Sequence, residues 1–120
     1  MYYPIKARDI ALSNNHNYHL VAWAKRGSSY VYGTNSDRCS VHFERTHPDG
    51  TKGFHLHAEM ALLKKLRPGT VKEIRVARFL KNGNTTMAKP CEYCRRFLRE
   101  HGVRRVYYTN WKGGWELMRL

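Results

Sequence analysis

Two hydrophobic periods alternate along the chain. Pro4 to about Leu12 predicts a first helix, because Pro suits an early helical position and Asn14-Asn15 suits an end. Tyr18 to Lys25 (YHLVAWAK) predicts a strand, Gly27-Ser28-Ser29 a turn and Tyr30 to Gly33 a second strand, together a hairpin. Thr34 to Phe54 is polar and rich in turn residues, Pro48-Asp49-Gly50 among them, and predicts a long loop of the kind that is functional or mobile in a small domain. Residues 57 to 66 carry Ala58, Ala61, Leu62, Leu63 and Leu66 on one wide apolar stripe, a helix stopped by Arg67-Pro68-Gly69. Lys72 to Leu80 (KEIRVARFL) predicts a strand and Asn82-Gly83-Asn84 a turn. Pro90 then opens a helix from Cys91 to about His101, which Gly102 ends. Val103 to Thr109 and Trp115 to Leu120 (WELMRL) predict the last two strands, joined by a turn at Lys112-Gly113-Gly114.

The order is thus helix, two strands, helix, strand, helix, two strands, which predicts one α/β domain over residues 1–120 with helices packed on the faces of a sheet. Between Thr109 and Trp115 there is no room for a crossover helix. The last two strands, if adjacent, must run antiparallel.

Composition narrows the class. The 120 residues suffice for one core, and 42% are hydrophobic, which argues for a folded globule. No apolar run is long enough to span a bilayer, and MYYPIKARDI lacks the apolar core of a signal peptide. The expectation is a soluble, cytoplasmic protein with no membrane partner. Lys and Arg number 22 against 9 Asp and Glu, a net charge of +13, which favours anionic partners such as nucleic acid or nucleotides. The three cysteines, Cys39, Cys91 and Cys94, include a tight C-x-x-C. In an intracellular chain that pattern points to metal or redox chemistry rather than a disulfide framework.

The chemistry concentrates in two short stretches, His57-Ala58-Glu59 and Pro90-Cys91-Glu92-Tyr93-Cys94. Each opens a predicted helix, and a histidine and a carboxylate at the mouth of a buried helix are costly to desolvate without a partner. Cys91 and Cys94 lie three apart, so both sulfurs point to one side of the first helical turn, where the helix N-terminus favours thiolates. Zinc prefers thiolate and imidazole ligands, and His57 would supply the third. Three protein ligands leave a fourth position for water, as in catalytic sites. A carboxylate there, Glu59, can accept and redeliver a proton. The bland alternative is a structural zinc closed by a fourth ligand such as Cys39, His47 or His55.

H-x-E followed by P-C-x-x-C is the signature of zinc deaminases, and on these motifs the chain resembles the cytidine deaminase superfamily. The element order adds to the resemblance, and the final hairpin is similar to the branch that contains free-nucleoside and several toxin deaminases. The resemblance implies a three-layer α/β/α fold with a mixed five-stranded sheet. It implies Zn2+ on His57, Cys91 and Cys94, and Glu59 as proton shuttle in hydrolysis of cytosine to uracil. It also implies that Asn35, in GTNS, touches the substrate sugar and that the backbone of Ala58 meets the pyrimidine edge. Where many relatives carry Ser or Glu before the Pro-Cys pair, this chain has Lys89, whose backbone carbonyl is the group expected to serve. Phe54 and His55 sit beside the motif. His55 would contact a substrate phosphate or simply alternate outward. Trp111 and Trp115 would stack on bases, or pack across the turn or against another subunit.

Within the deaminase reading, the charge and the basic loop tip near Lys81 favour cytosine in single-stranded nucleic acid, DNA before RNA. Free cytidine, deoxycytidine or dCMP is the alternative, and a homo-oligomer is compatible with it. A different class of function is a non-catalytic nucleic-acid-binding module that keeps zinc only for its fold.

Overall fold

The structure, a computed structural model, describes residues 5–12, 19–34, 45–46, 52–53 and 58–120. Within them the elements are α1 (Ile5–Leu12), β1 (His19–Arg26), β2 (Ser29–Thr34), β3 (Arg45–Thr46), β4 (Lys52–Gly53), α2 (Ala58–Leu63), β5 (Glu73–Phe79), β6 (Thr85–Thr86), α3 (Glu92–Glu100), β7 (Arg105–Thr109) and β8 (Trp115–Arg119).

Five strands line up as β2-β1-β5-β7-β8, and β6 pairs with β5. β1 runs antiparallel to β2 and to β5, whereas β5 and β7 are parallel. That parallel pair requires a crossover, and α3 supplies it. The final hairpin pairs β7 with β8 antiparallel, from Thr109↔Trp115 to Arg105↔Arg119, as the short connection requires. The mixed five-stranded sheet is the one expected, and the short β6 adds to it alongside β5. β6 has two residues, too few for an alternating pattern to show in the sequence. The pair β3–β4 likewise falls inside the stretch expected to be loop.

Side chains alternate across the sheet. Val21 and Trp23 of β1 and Ala77 and Phe79 of β5 form one core with Ala7 and Ala11 of α1. Ala22, Ala24, Ile74, Val76, Val106 and Tyr108 point to the opposite face and meet Ala58, Met60, Leu62 and Leu63 of α2 and Cys94 and Leu98 of α3. These are the expected three layers. The aromatic pair Trp23–Trp115 ties the first core to the edge strand, with ring centroids 5.8 Å apart and planes at 86°. Its reach depends on small, fully buried residues along the way: Thr109, opposite Trp115, and Ala77 on β5. Trp115 therefore packs against the core of its own chain, on Trp23. No helix among the described residues is long and apolar enough to cross a membrane.

α2 is regular only to Leu63, shorter than the expected 57–66. Lys65 and Leu66 continue it through three-residue bonds, Lys65 N–H to Leu62 O at 3.0 Å and Leu66 N–H to Leu63 O at 3.1 Å. Such tightening is common in a last turn and keeps Leu66 buried. The start of α2 is seated on β2 at Gly33, where a Cβ would stand 2.6 Å from Ala58 O and 2.8 Å from Leu62 Cα. Only glycine lets the two backbones approach so closely.

Gly33→Ala is therefore expected to push α2 off the sheet. Overpacking of this kind costs about 1–3 kcal/mol and would lower Tm by several degrees. An unchanged Tm would show that the helix is free to shift.

Candidate active site

The parallel strands β5 and β7 end side by side, and in α/β sheets the crevice beyond such carboxyl ends is where ligands bind. Here the chain between β6 and α3 is pinned across that end. Ala88 N–H donates to Thr109 O at 2.8 Å, and the Thr109 hydroxyl donates to Thr86 O while accepting from Arg78 N–H at 3.3 Å. Thr109 is fully buried. Its hydrogen bonds set the entry to Pro90 and Cys91, and so the direction in which α3 starts.

Cys91 is the residue that caps α3, with extended backbone (φ −72°, ψ 168°), rather than its first helical residue. Cys94 lies in the first turn. Their sulfurs are 3.4 Å apart, Cys91 half-buried and Cys94 buried. Arg95 reinforces the corner: its Nε–H donates to Pro90 O at 3.2 Å and its N–H to Cys91 O at 3.0 Å.

The second motif meets the first at Glu59. Its side chain is 3% exposed, at the start of α2, and it hydrogen-bonds Cys94. The Cys94 thiol is held far above the ordinary thiol range. The bond to Cys91 is the largest cause, burial the next, and the charge of Glu59 adds to both. Burial and the neighbouring carboxylate disfavour the Cys94 thiolate for want of a positive charge, and a divalent cation supplies one. The geometry suits zinc: two Zn–S bonds of about 2.3 Å at a tetrahedral angle set the sulfurs about 3.8 Å apart, and the observed pair need open only slightly.

Of the residues singled out from the sequence, Cys91 and Cys94 have their sulfurs 3.4 Å apart and Glu59 lies beside Cys94. Ala58 is fully buried beside Glu59, and Lys89 is exposed one residue before Pro90. His57, Asn35, Phe54 and His55 lie outside the described residues, as do Cys39 and His47, the rival fourth ligands. Among the described residues no group of three metal-ligating side chains assembles; Cys91 and Cys94 are the described members of the proposed set. Sequence reasoning missed Thr109 and Gly33, which position the two motifs. A glycine inside an apolar strand was a usable signal for the second. Thr109 carries no signal of its own.

The hairpin beyond Thr109 is equally ordered. Asn110 Oδ1 accepts from Lys112 N–H at 3.0 Å and Gly114 N–H at 2.9 Å, and the Thr85 hydroxyl donates to Gly113 O at 2.9 Å. This holds the β5–β6 turn beside the hairpin and presents Trp111 outward, 71% exposed.

No protein-family model matches the sequence, and no curated protein matches it. Among solved structures, a cytidine deaminase from Burkholderia pseudomallei is similar, with a TM-score of 0.64 over 95% of this chain and 84% of that one, at 21% identity. At that identity the similarity is one of fold, and the chain has a cytidine-deaminase-like α/β fold.

Proposed function

We propose that this protein is a zinc-dependent hydrolase that deaminates cytosine to uracil, acting on cytosine within single-stranded nucleic acid, with DNA favoured. The observation that carries the reading is the buried carboxylate of Glu59 against the Cys91–Cys94 pair. A structural zinc site has no use for that carboxylate, whereas hydrolysis needs a proton carrier at that place. The shared fold of a cytidine deaminase supports the same reading.

In this reading His57, Cys91 and Cys94 hold the zinc. When bound, zinc supplies the Lewis acidity that makes water nucleophilic near neutral pH. The chain's own residues do the rest. Glu59 takes the proton released as water adds to C4 of the ring, delivers it to N3, and then carries a proton to the departing amine, so that cytosine and water become uracil and ammonia. Burial of Glu59 excludes competing solvent from that transfer. The backbone beside Ala58 and the Lys89 carbonyl would orient the pyrimidine, with Asn35 on the sugar and Phe54 and His55 as further substrate contacts. A polymer is favoured over a free nucleoside by the +13 charge and by the exposed Lys89, Lys81, Lys112 and Trp111 on segments that adjoin the site.

The test is release of uracil and ammonia from a single-stranded cytosine oligonucleotide, cytidine and dCMP, with zinc content measured in parallel. Glu59→Gln is expected to lose turnover by about 10²–10⁴-fold while retaining zinc. Turnover confined to cytidine or dCMP would move the substrate to the free nucleoside class. No turnover on any of the three would leave the zinc-stabilised binding module.

Zinc removal gives a readout that needs no substrate. Stripping the metal with a chelator is expected to lower Tm, and adding zinc to about 100 times its Kd to restore about 2.7 kcal/mol. Cys94→Ser should abolish that response, and a zinc-insensitive Tm in the wild type would refute the ligand set.

A further inference from the structure

Among the described residues, the sheet face opposite α2 and α3 is only partly covered. α1 sits over β1, β2 and β5 with Ala7 and Ala11. Beyond α1 the strand registers lay out two rows. Arg75 pairs with Tyr107 and Tyr107 with Leu117; Glu73 pairs with Arg105 and Arg105 with Arg119. On the other side of β5, Lys25 pairs with Tyr30, both exposed and on the same face as Trp23. Four cations, Lys25, Arg75, Arg105 and Arg119, therefore share this surface with one carboxylate. Glu73 bonds Arg75 at 3.2 Å and Arg105 at 3.3 Å, which fixes the two guanidinium groups and leaves an excess of positive charge. Between them is the half-buried ring of Tyr107, with the Arg75 guanidinium 5.4 Å from its centre, and Leu117 is 39% exposed alongside.

We propose that this face is a second surface for nucleic acid, a platform for single strands in which Lys25, Arg105 and Arg119 take phosphates and Tyr107 with Arg75 takes an unstacked base. Flat aromatic and guanidinium groups on a sheet, interleaved with cations, suit bases that are not paired, while the cations follow the backbone. Charge argues against a second copy of this chain as occupant, since the same face would set cations against cations. The platform lies on the other side of the sheet from Glu59, Cys91 and Cys94, so it stands whatever substrate that site takes.

The experiment uses the full chain and fluorescein-labelled oligothymidylate, which offers no cytosine, followed by fluorescence anisotropy over a salt series. Arg105→Glu with Arg119→Glu is expected to weaken binding at least about tenfold and to flatten the slope of log affinity against log salt by about 1.4, the loss of two phosphate contacts. Arg105→Lys with Arg119→Lys should keep the affinity, and Tyr107→Leu should weaken it without altering the slope. If the charge reversals do not fold, photocrosslinking of a 4-thiothymidine strand to the wild type decides: adducts on β5, β7 or β8 support the platform, and adducts confined to other segments overturn it. No binding by the wild type, equal affinity in the charge-reversed variant, a blunt duplex bound as tightly, or matched-length polyglutamate competing as well as the strand would each overturn it. The readout involves no turnover, so it can fail while deamination stands, and the reverse.

Discussion

The packing of Glu59 against the Cys91–Cys94 pair is the constraint around which this fold is organised. Groups that lose hydration and repel one another when ionised are held together by backbone that has few other options. α2 is pressed onto β2 at Gly33, and α3 begins from a segment pinned through Thr109. The two helix starts converge because β5 and β7 are parallel neighbours and each helix precedes one of them in the chain. A sheet of purely antiparallel neighbours would have placed alternate strand ends on opposite sides and separated the motifs.

The cost of this arrangement is met in the layers around it. The larger core, from Ala22 to Tyr108, lies on the site's side of the sheet and is built from small and branched residues that let α2 and α3 lie close. At the far ends of the same helices, the His101 ring nitrogen Nε2 lies 2.8 Å from Leu66 O, and Gly69 N–H donates to His101 O at 2.8 Å. The helices are thus bound at both ends, which limits how far the carboxylate can move relative to the sulfurs.

Much of this was legible before any coordinates. Short apolar runs bounded by turn residues, in YHLVAWAK and KEIRVARFL, marked β1 and β5, because each strand buries side chains on both faces of the sheet. The short spacing from Thr109 to Trp115 left the final strands only one relative direction. The two motifs were readable since their residue types have few uses together. What escaped were features with no period: the two-residue strand β6, the pairing of β3 with β4, and the early end of α2, where the apolar stripe runs on to Leu66 through a tighter turn. Register was also out of reach. That Arg75, Tyr107 and Leu117 share one row follows from pairing between strands, which a single sequence does not display. The parts of the proposed site that rest on His57 and Asn35 fall outside the described residues.

The contact between Trp23 and Trp115 bears on how the molecule comes into being. One indole belongs to β1 and the other to β8, so the core beneath α1 is not complete until β8 has docked. On a ribosome, the early hairpin would emerge with part of its apolar surface still bare and wait for most of the remaining polypeptide to follow. Closing so long a loop makes for slow acquisition of structure and a window in which chaperones, or neighbouring nascent chains, compete for the same surface.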